Sequence, residues 1–232
     1  MKNRFAAAFC CLTLILISAA AAAEQNTESL ASAQAGETVV WGAYEQDNDE
    51  SNGPEPVEWL VLENTGDTLL LNSVFALDCR KYHDGTEAVT WENCDLRAWL
   101  NGEFYETCFS SGEKEQILLN HLENPASERY DIAGGNPTDD YVYILSTQEQ
   151  SAFFADEADM AAFATPYAIA RGVQPRSTDE PYARYWLRNP GMTGESAAFL
   201  QYDFLNYSGT AYAKVKEYAV RPVIRLDLSG LD

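Results

Sequence analysis

Tyr185-Trp186-Leu187-Arg188-Asn189-Pro190-Gly191 and, nearer the end, Ala219-Val220-Arg221-Pro222-Val223-Ile224-Arg225-Leu226 decide how this 232-residue chain is read. Both are short runs of strand-forming residues with an arginine set among apolar neighbours. A guanidinium in an apolar strand needs a buried or half-buried acid beside it, because an unpaired charge gives up its hydration without compensation. The two runs are therefore read as core strands on which the other elements pack.

Outward from these runs, residues 38–44, 57–62 and 68–75 read as three closely spaced strands of an antiparallel meander, with Asn64-Thr65-Gly66-Asp67 as a turn. Helical signals follow. Asn93 is the expected N-cap of a helix over 94–100, with Leu96, Trp99 and Leu100 on one face and Asn101-Gly102 as its stop. Ser110-Ser111-Gly112-Glu113 and Ser146-Thr147-Gln148-Glu149 fit capping boxes, the second just after an expected strand over 141–145. Thr165-Pro166 supplies the cap and first residue of a helical turn that Gly172 ends. Strand signals return over 184–188, 197–202, 212–216 and 219–226. Strands, then helices, then strands describe one α+β domain, mainly antiparallel sheet with short helices in the middle of the chain. Its first and last strands are expected in one sheet.

Charge and leader narrow the function. The chain holds 36 Asp and Glu against 15 Lys and Arg, a net charge of −21. That balance argues against nucleic acid and against anionic lipid surfaces, which both need a basic footprint. Met1-Lys2-Asn3-Arg4, a short apolar stretch and an alanine-rich exit describe a signal peptide over 1–23, so export and no membrane insertion after cleavage are expected. Residues 24–36 are small and polar and read as a disordered lead-in, leaving 37–232 as the domain. Cys79, Cys94 and Cys108 remain after cleavage.

The order of short motifs is more specific than any one of them. Thr90-Trp91-Glu92 and Leu96-Arg97-Ala98-Trp99-Leu100-Asn101 come first; Phe109-Ser110, Trp186-Leu187-Arg188-Asn189-Pro190-Gly191 and Val220-Arg221-Pro222 follow. This order resembles a family of bacterial extracytoplasmic domains of unknown function with TWE, LRxWLN, FLLS, WLRSPG and GVRP blocks. Asn189 and Ala219 depart from that pattern, standing where Ser and Gly are usual. The closing strands also resemble, at the level of fold, the formylglycine-generating-enzyme branch of C-type-lectin-like domains; that likeness carries no chemistry. The enzyme's reaction would need a late reactive cysteine, and the last one here is Cys108. Export and the family resemblance imply a Cys79–Cys94 disulfide, closing a loop of roughly 15 residues and adding about 3 kcal/mol. A zinc set of Cys79, His83, Asp84 and Cys94 is the alternative.

Other candidates stand on residue type. Asp47, Asp49, Ser51 and Glu58 resemble a calcium loop, although Asn52 holds the position where glycine is needed. Arg97, Arg188 and Arg221 read as structural tethers, with Glu92 and Asp140 as their partners, or else as a grip on an anionic ligand. Tyr202, Asp203, Asn206, Tyr207 and Tyr212 gather aromatic and polar groups in an expected loop between strands, a composition that suits sugar or peptide contact. Alternation makes Ala198 and Leu200 the expected core face and Phe199 the outer one. No nucleophile elbow or zinc-hydrolase motif occurs. The chain is thus read as a secreted or surface-exposed, non-catalytic module binding a carbohydrate or a protein without a cofactor. An extracytoplasmic enzyme acting on glycan or cell-wall material, and a purely structural domain, are the alternatives.

Overall fold

β1 (Thr38–Tyr44), β2 (Glu55–Asn64) and β3 (Thr68–Ser73) form the meander the sequence announces, in a computed structural model that describes residues 30–127, 129–155, 157–175, 182–200 and 208–229. The expected leader and residues 24–29 lie outside the described residues, as do Tyr202, Asp203, Asn206 and Tyr207. A bulge breaks the β1–β2 ladder between Val40 and Ala43. Gly42 sits in it at φ +70°, and a Cβ there would stand 2.7 Å from the Cys108 carbonyl oxygen, so the bulge requires glycine.

Eight more strands follow: β4 (Asp78–Cys79), β5 (Asn120–Leu122), β6 (Thr138–Asp140), β7 (Tyr185–Pro190), β8 (Ser196–Leu200), β9 (Ser208–Tyr212), β10 (Ala219–Val220) and β11 (Val223–Asp227). One sheet has the order β1-β2-β3-β11 and a second β4-β10-β7-β8-β9, while β5 and β6 make a two-stranded ribbon. Pairing is antiparallel throughout except between β7 and β10, where Ala219 lies parallel to Tyr185. β1 and β11 share a sheet as expected, but at its opposite edges.

β10 and β11 are consecutive in sequence and belong to different sheets. The chain crosses between them at Arg221-Pro222, where proline has no N–H to give to either ladder. The Pro222 carbonyl accepts instead from the Ser73 N–H at 2.9 Å. The closing run thereby stitches the two sheets together.

The helices are short. α1 (Asp95–Trp99), a π-helical turn (Leu100–Phe104) and α2 (Tyr105–Cys108) run on without a break. The expected N-cap shifts by one residue: Cys94 caps α1, its sulfur accepting from the Arg97 N–H at 3.4 Å. The expected stop at Asn101-Gly102 is overrun. The Asn101 side chain donates to the carbonyls of Arg97 at 3.1 Å and Val142 at 2.9 Å and accepts from the Tyr141 N–H at 2.8 Å. Tertiary hydrogen bonds here outweigh the local tendency of Asn-Gly to end a helix. α3 (Ser111–Gln116), α4 (Thr147–Phe153) and α5 (Pro166–Arg171) begin at the expected caps Ser110, Ser146 and Thr165. The expected strand over 141–145 reduces to an isolated bridge between Tyr143 and Val223.

Residues 30–36, assigned by composition to a lead-in without structure, dock on β2. Leu30 is 1% exposed, and the Asn64 amide donates to the Ala33 carbonyl at 2.6 Å. One buried leucine and a few backbone bonds outweigh the polar composition of the segment. Trp59, Trp91 and Trp186 are fully buried, and each indole N–H finds an acceptor: the Trp41 carbonyl, the Asp140 carboxylate and the Arg80 carbonyl. Each ring thus buries its area without an orphaned donor. Among the described residues no helix is long and apolar enough to cross a membrane.

Candidate functional site

Of the three arginines in the motif blocks, Arg188 and Arg221 are buried and Arg97 is half-buried. Arg97 Nε donates to Asp140 Oδ1 at 2.6 Å, and its remaining nitrogens reach the carbonyls of Glu92 and Asp139. Asp140 is fully buried and takes further hydrogen bonds from Trp91 and Thr138, so the acid is satisfied and structural. Arg221, 3% exposed, departs from the expectation of an acid partner. It donates to the carbonyls of Ser73 at 2.9 Å and Met160 at 3.0 Å and to the Tyr185 hydroxyl at 3.2 Å. Oxygens left over where the chain changes sheets do the work an acid was expected to do.

Arg188 does more. From β7 it makes a two-nitrogen contact with Glu149 of α4, at 2.8 and 3.0 Å. It also reaches Asn124 Oδ1 at 3.1 Å and the Glu123 carbonyl at 3.2 Å, where the loop after β5 begins. Its partner is therefore Glu149 rather than Glu92 or Asp140. Burial pushes the Glu149 carboxyl up, but Arg188 and the Ser146 cap outweigh it and leave it below its ordinary value. A single buried guanidinium thus fixes β7, α4 and the 123–132 loop against one another.

Those three elements and the β8–β9 hairpin enclose a cleft of about 510 Å³. Thr147, Gln148 and Ser151 of α4 form one wall, and Ser127, Arg129 and Tyr130 the other. Asn189, Pro190, Ala198 and Thr210 lie at its base. Asn189 is 2% exposed and bonded in place: it accepts from the Thr147 N–H at 2.7 Å and donates to Gln148 Oε1 at 3.0 Å. Gly191 follows, and a Cβ there would meet Ser196 Oγ at 2.4 Å, so the β7–β8 turn closes only over glycine. In a chain with 36 acids, the described lining holds no Asp, Glu, His, Lys or Cys. Hydroxyls, amides, one phenol ring and one guanidinium offer hydrogen bonds and stacking.

The expected ligand residues that are described sit beside this cleft. Ser196 pairs with Tyr212 and Ala198 with Thr210, and directly paired residues share a face of the sheet. Tyr212, 57% exposed, is therefore on the cleft side, one pair beyond Thr210. Tyr202, Asp203, Asn206 and Tyr207 lie outside the described residues. The expected division of β8 into core and outer faces is corrected. Phe199 packs against Tyr218 with centroids 4.6 Å apart and the rings tilted by 43°, and Ala198 lines the cleft. Both faces of the strand are covered, and alternation cannot separate one buried face from another. Arg129, Tyr130 and Gln148 escaped the sequence reading; the signal available was a cation and a ring in a turn-rich segment.

The metal and cysteine candidates fall elsewhere. The oxygens that converge within 4.8 Å belong to Glu45, Asp47 and Glu55, not to the expected set of Asp47, Asp49, Ser51 and Glu58. Asp49 is taken up by the Ser51 hydroxyl at 2.6 Å, and Glu58 lies on β2 opposite Val40. The calcium spacing assumed a continuous loop, whereas a hairpin brings its two ends together. Cys79, Cys94 and Cys108 are all buried free thiols, so the expected Cys79–Cys94 bridge is not formed. Cys79 is held in the β4–β10 pairing and Cys94 caps α1, which gives each sulfur its own surroundings. Burial pushes the Cys79 thiol up to about 11 and the Cys94 thiol up to about 12, and raises Cys108 as well. The zinc alternative does not assemble, since Cys79, His83, Asp84 and Cys94 bring no three ligand atoms together.

The fold and site define a mostly sheet, single-domain protein with short helices and an open polar cleft beside a hairpin. The family described as "Domain of unknown function (DUF6273)" matches residues 65–228, and the chain belongs to it. No curated protein and no solved structure matches the chain.

Proposed function

We propose that this protein is an exported, non-catalytic binding module whose cleft takes up a carbohydrate. The observation that carries the reading is the lining: hydroxyls, amides and a tyrosine ring, with no carboxylate among the described residues. Sugars are recognised by stacking on their apolar faces and by hydrogen bonds to their hydroxyls, which this set supplies. Glycoside cleavage ordinarily needs a carboxylate pair, and none stands in the described lining. The strongly perturbed groups, among them Tyr82 and Cys94, do not line the cleft. That separation supports binding over catalysis. The leader-like start supports export, and the motif order supports a bacterial source and a surface location. A rigid sheet presenting its ligand residues around one hairpin is also consistent with a C-type-lectin-like arrangement. In this reading Asp203, Asn206 and Tyr207, which lie outside the described residues, remain proposed ligand contacts, and the module works without a cofactor.

The test is calorimetric titration of the folded chain with a panel of oligosaccharides. Saturable binding is expected. Tyr130→Ala and Tyr212→Ala should each weaken it several-fold, the effect of one lost stacking ring. If no saccharide binds, or if both variants bind like the parent, the reading is wrong and a protein ligand takes precedence.

A further inference from the structure

We propose that the cleft selects an acidic saccharide, and that Arg129 grips its carboxylate or sulfate group. The inference rests on the carbohydrate reading and deepens it. Arg129 is the one charged side chain in the described lining. It is exposed, and its guanidinium lies 5.4 Å from the centroid of the Tyr130 ring. Other guanidinium groups in the molecule are already engaged: Arg97 holds Asp140, Arg188 holds Glu149 and Arg225 holds Glu63. Arg129 has no carboxylate partner among the described residues.

The physics favours an anion at this place. A net charge of −21 repels anions at long range, and Glu128 and Asp131 flank the Arg129-Tyr130 pair in sequence, so a negative ligand needs a cation in the lining itself. The described lining supplies that positive charge. A cationic ligand would find nothing in it to pair with. The planar guanidinium offers parallel N–H donors that match a carboxylate or sulfate with two hydrogen bonds. The ring beneath it restrains the long side chain, so less freedom is lost on binding. The surrounding Ser127, Thr147, Ser151 and Thr210 supply hydroxyls for the uncharged part of the sugar.

The experiment compares a uronic-acid oligosaccharide with its carboxyl-reduced, neutral counterpart, and adds a sulfated oligosaccharide to separate the two sources of negative charge. All three are titrated calorimetrically into the full chain. At least one acidic ligand should bind tenfold or more tightly than the neutral one, with an advantage that shrinks as salt is raised. Arg129→Gln should abolish the advantage, bringing the acidic and neutral affinities together, and Arg129→Lys should retain part of it. Arg129 is exposed, so these variants should fold, which circular dichroism verifies. Equal affinity for acidic and neutral ligands, or an advantage that survives Arg129→Gln, overturns the inference and leaves the carbohydrate reading standing. Absence of any saccharide binding overturns both.

Discussion

At the scale of the residue, Glu149 and Arg188 show how one pair acts in two capacities. Glu149 closes the capping box of α4 through Ser146, and it also anchors the guanidinium that sets the cleft walls. Its carboxyl lies below the ordinary value of 4.5. A group with a depressed folded-state value adds stability that is fully present above its unfolded value and is lost as the pH falls through the folded one. Glu149→Gln should therefore cost about 3 kcal/mol at neutral pH, because it strips a buried arginine of its acid. The difference from the parent should shrink once the pH drops below 4.5. Thermal melts of both proteins from pH 7 to pH 3 check this. A gap that stays constant across the range would mean that the charge of Glu149 is not what holds the wall.

At the scale of the element, the helical segment from α1 to α2 sets local preference against tertiary contact. Asn-Gly is a stop signal, yet the segment continues through Asn101 as a π-helical turn. A π-turn is an uncommon, strained solution, and here a side chain sustains it by joining the helix to the strand segment after β6. By propensity alone, Asn101→Ala should stabilise the helix by roughly 0.6 kcal/mol. The structure predicts the opposite sign. The Tyr141 N–H and the Val142 carbonyl would lose their partner, and a net loss of about 2 kcal/mol is expected. Denaturant unfolding of the variant decides, since a gain in stability would show that the contacts contribute less than the intrinsic preference.

At the scale of the whole molecule, the crossing at Arg221-Pro222 joins the two sheets. Arg221 gathers the carbonyls of Ser73 and Met160 and the Tyr185 hydroxyl, groups from both sides of the junction. Arg221→Ala strips the Ser73 carbonyl of this donor and leaves the Met160 carbonyl and the Tyr185 hydroxyl with one partner fewer in a buried place. The expected loss is about 3 kcal/mol, a fall of roughly 10 °C in melting temperature for a domain of this size. Near-ultraviolet signals from Trp59 in the first sheet and Trp186 in the second should fall together in one transition. A shift below roughly 2 °C, within the range of an ordinary surface change, would remove Arg221 from the role of junction.

The sequence by itself determined the opening meander and the starts of the capped helices. The caps Ser110, Ser146 and Thr165 and the stop at Gly172 are local chemistry, complete within four or five residues. The tethering arginines were legible for a similar reason: a charge in an apolar run has few ways to survive. Their partners were not, because Glu149 stands 39 positions from Arg188 and the Ser73 carbonyl stands 148 from Arg221. No periodicity encodes such distances. The cleft belongs to the same class. Ser127, Gln148, Asn189 and Thr210 are unremarkable polar residues in sequence, and they become a site only when Arg188 draws α4, the 123–132 loop and β7 together beside the β8–β9 hairpin. Local hydrogen bonding and hydrophobic period act over a few residues and are written in the chain. Which acid neutralises which base, and which polar groups end up facing one another across a gap, is decided by long-range packing, and only the tertiary structure contains it.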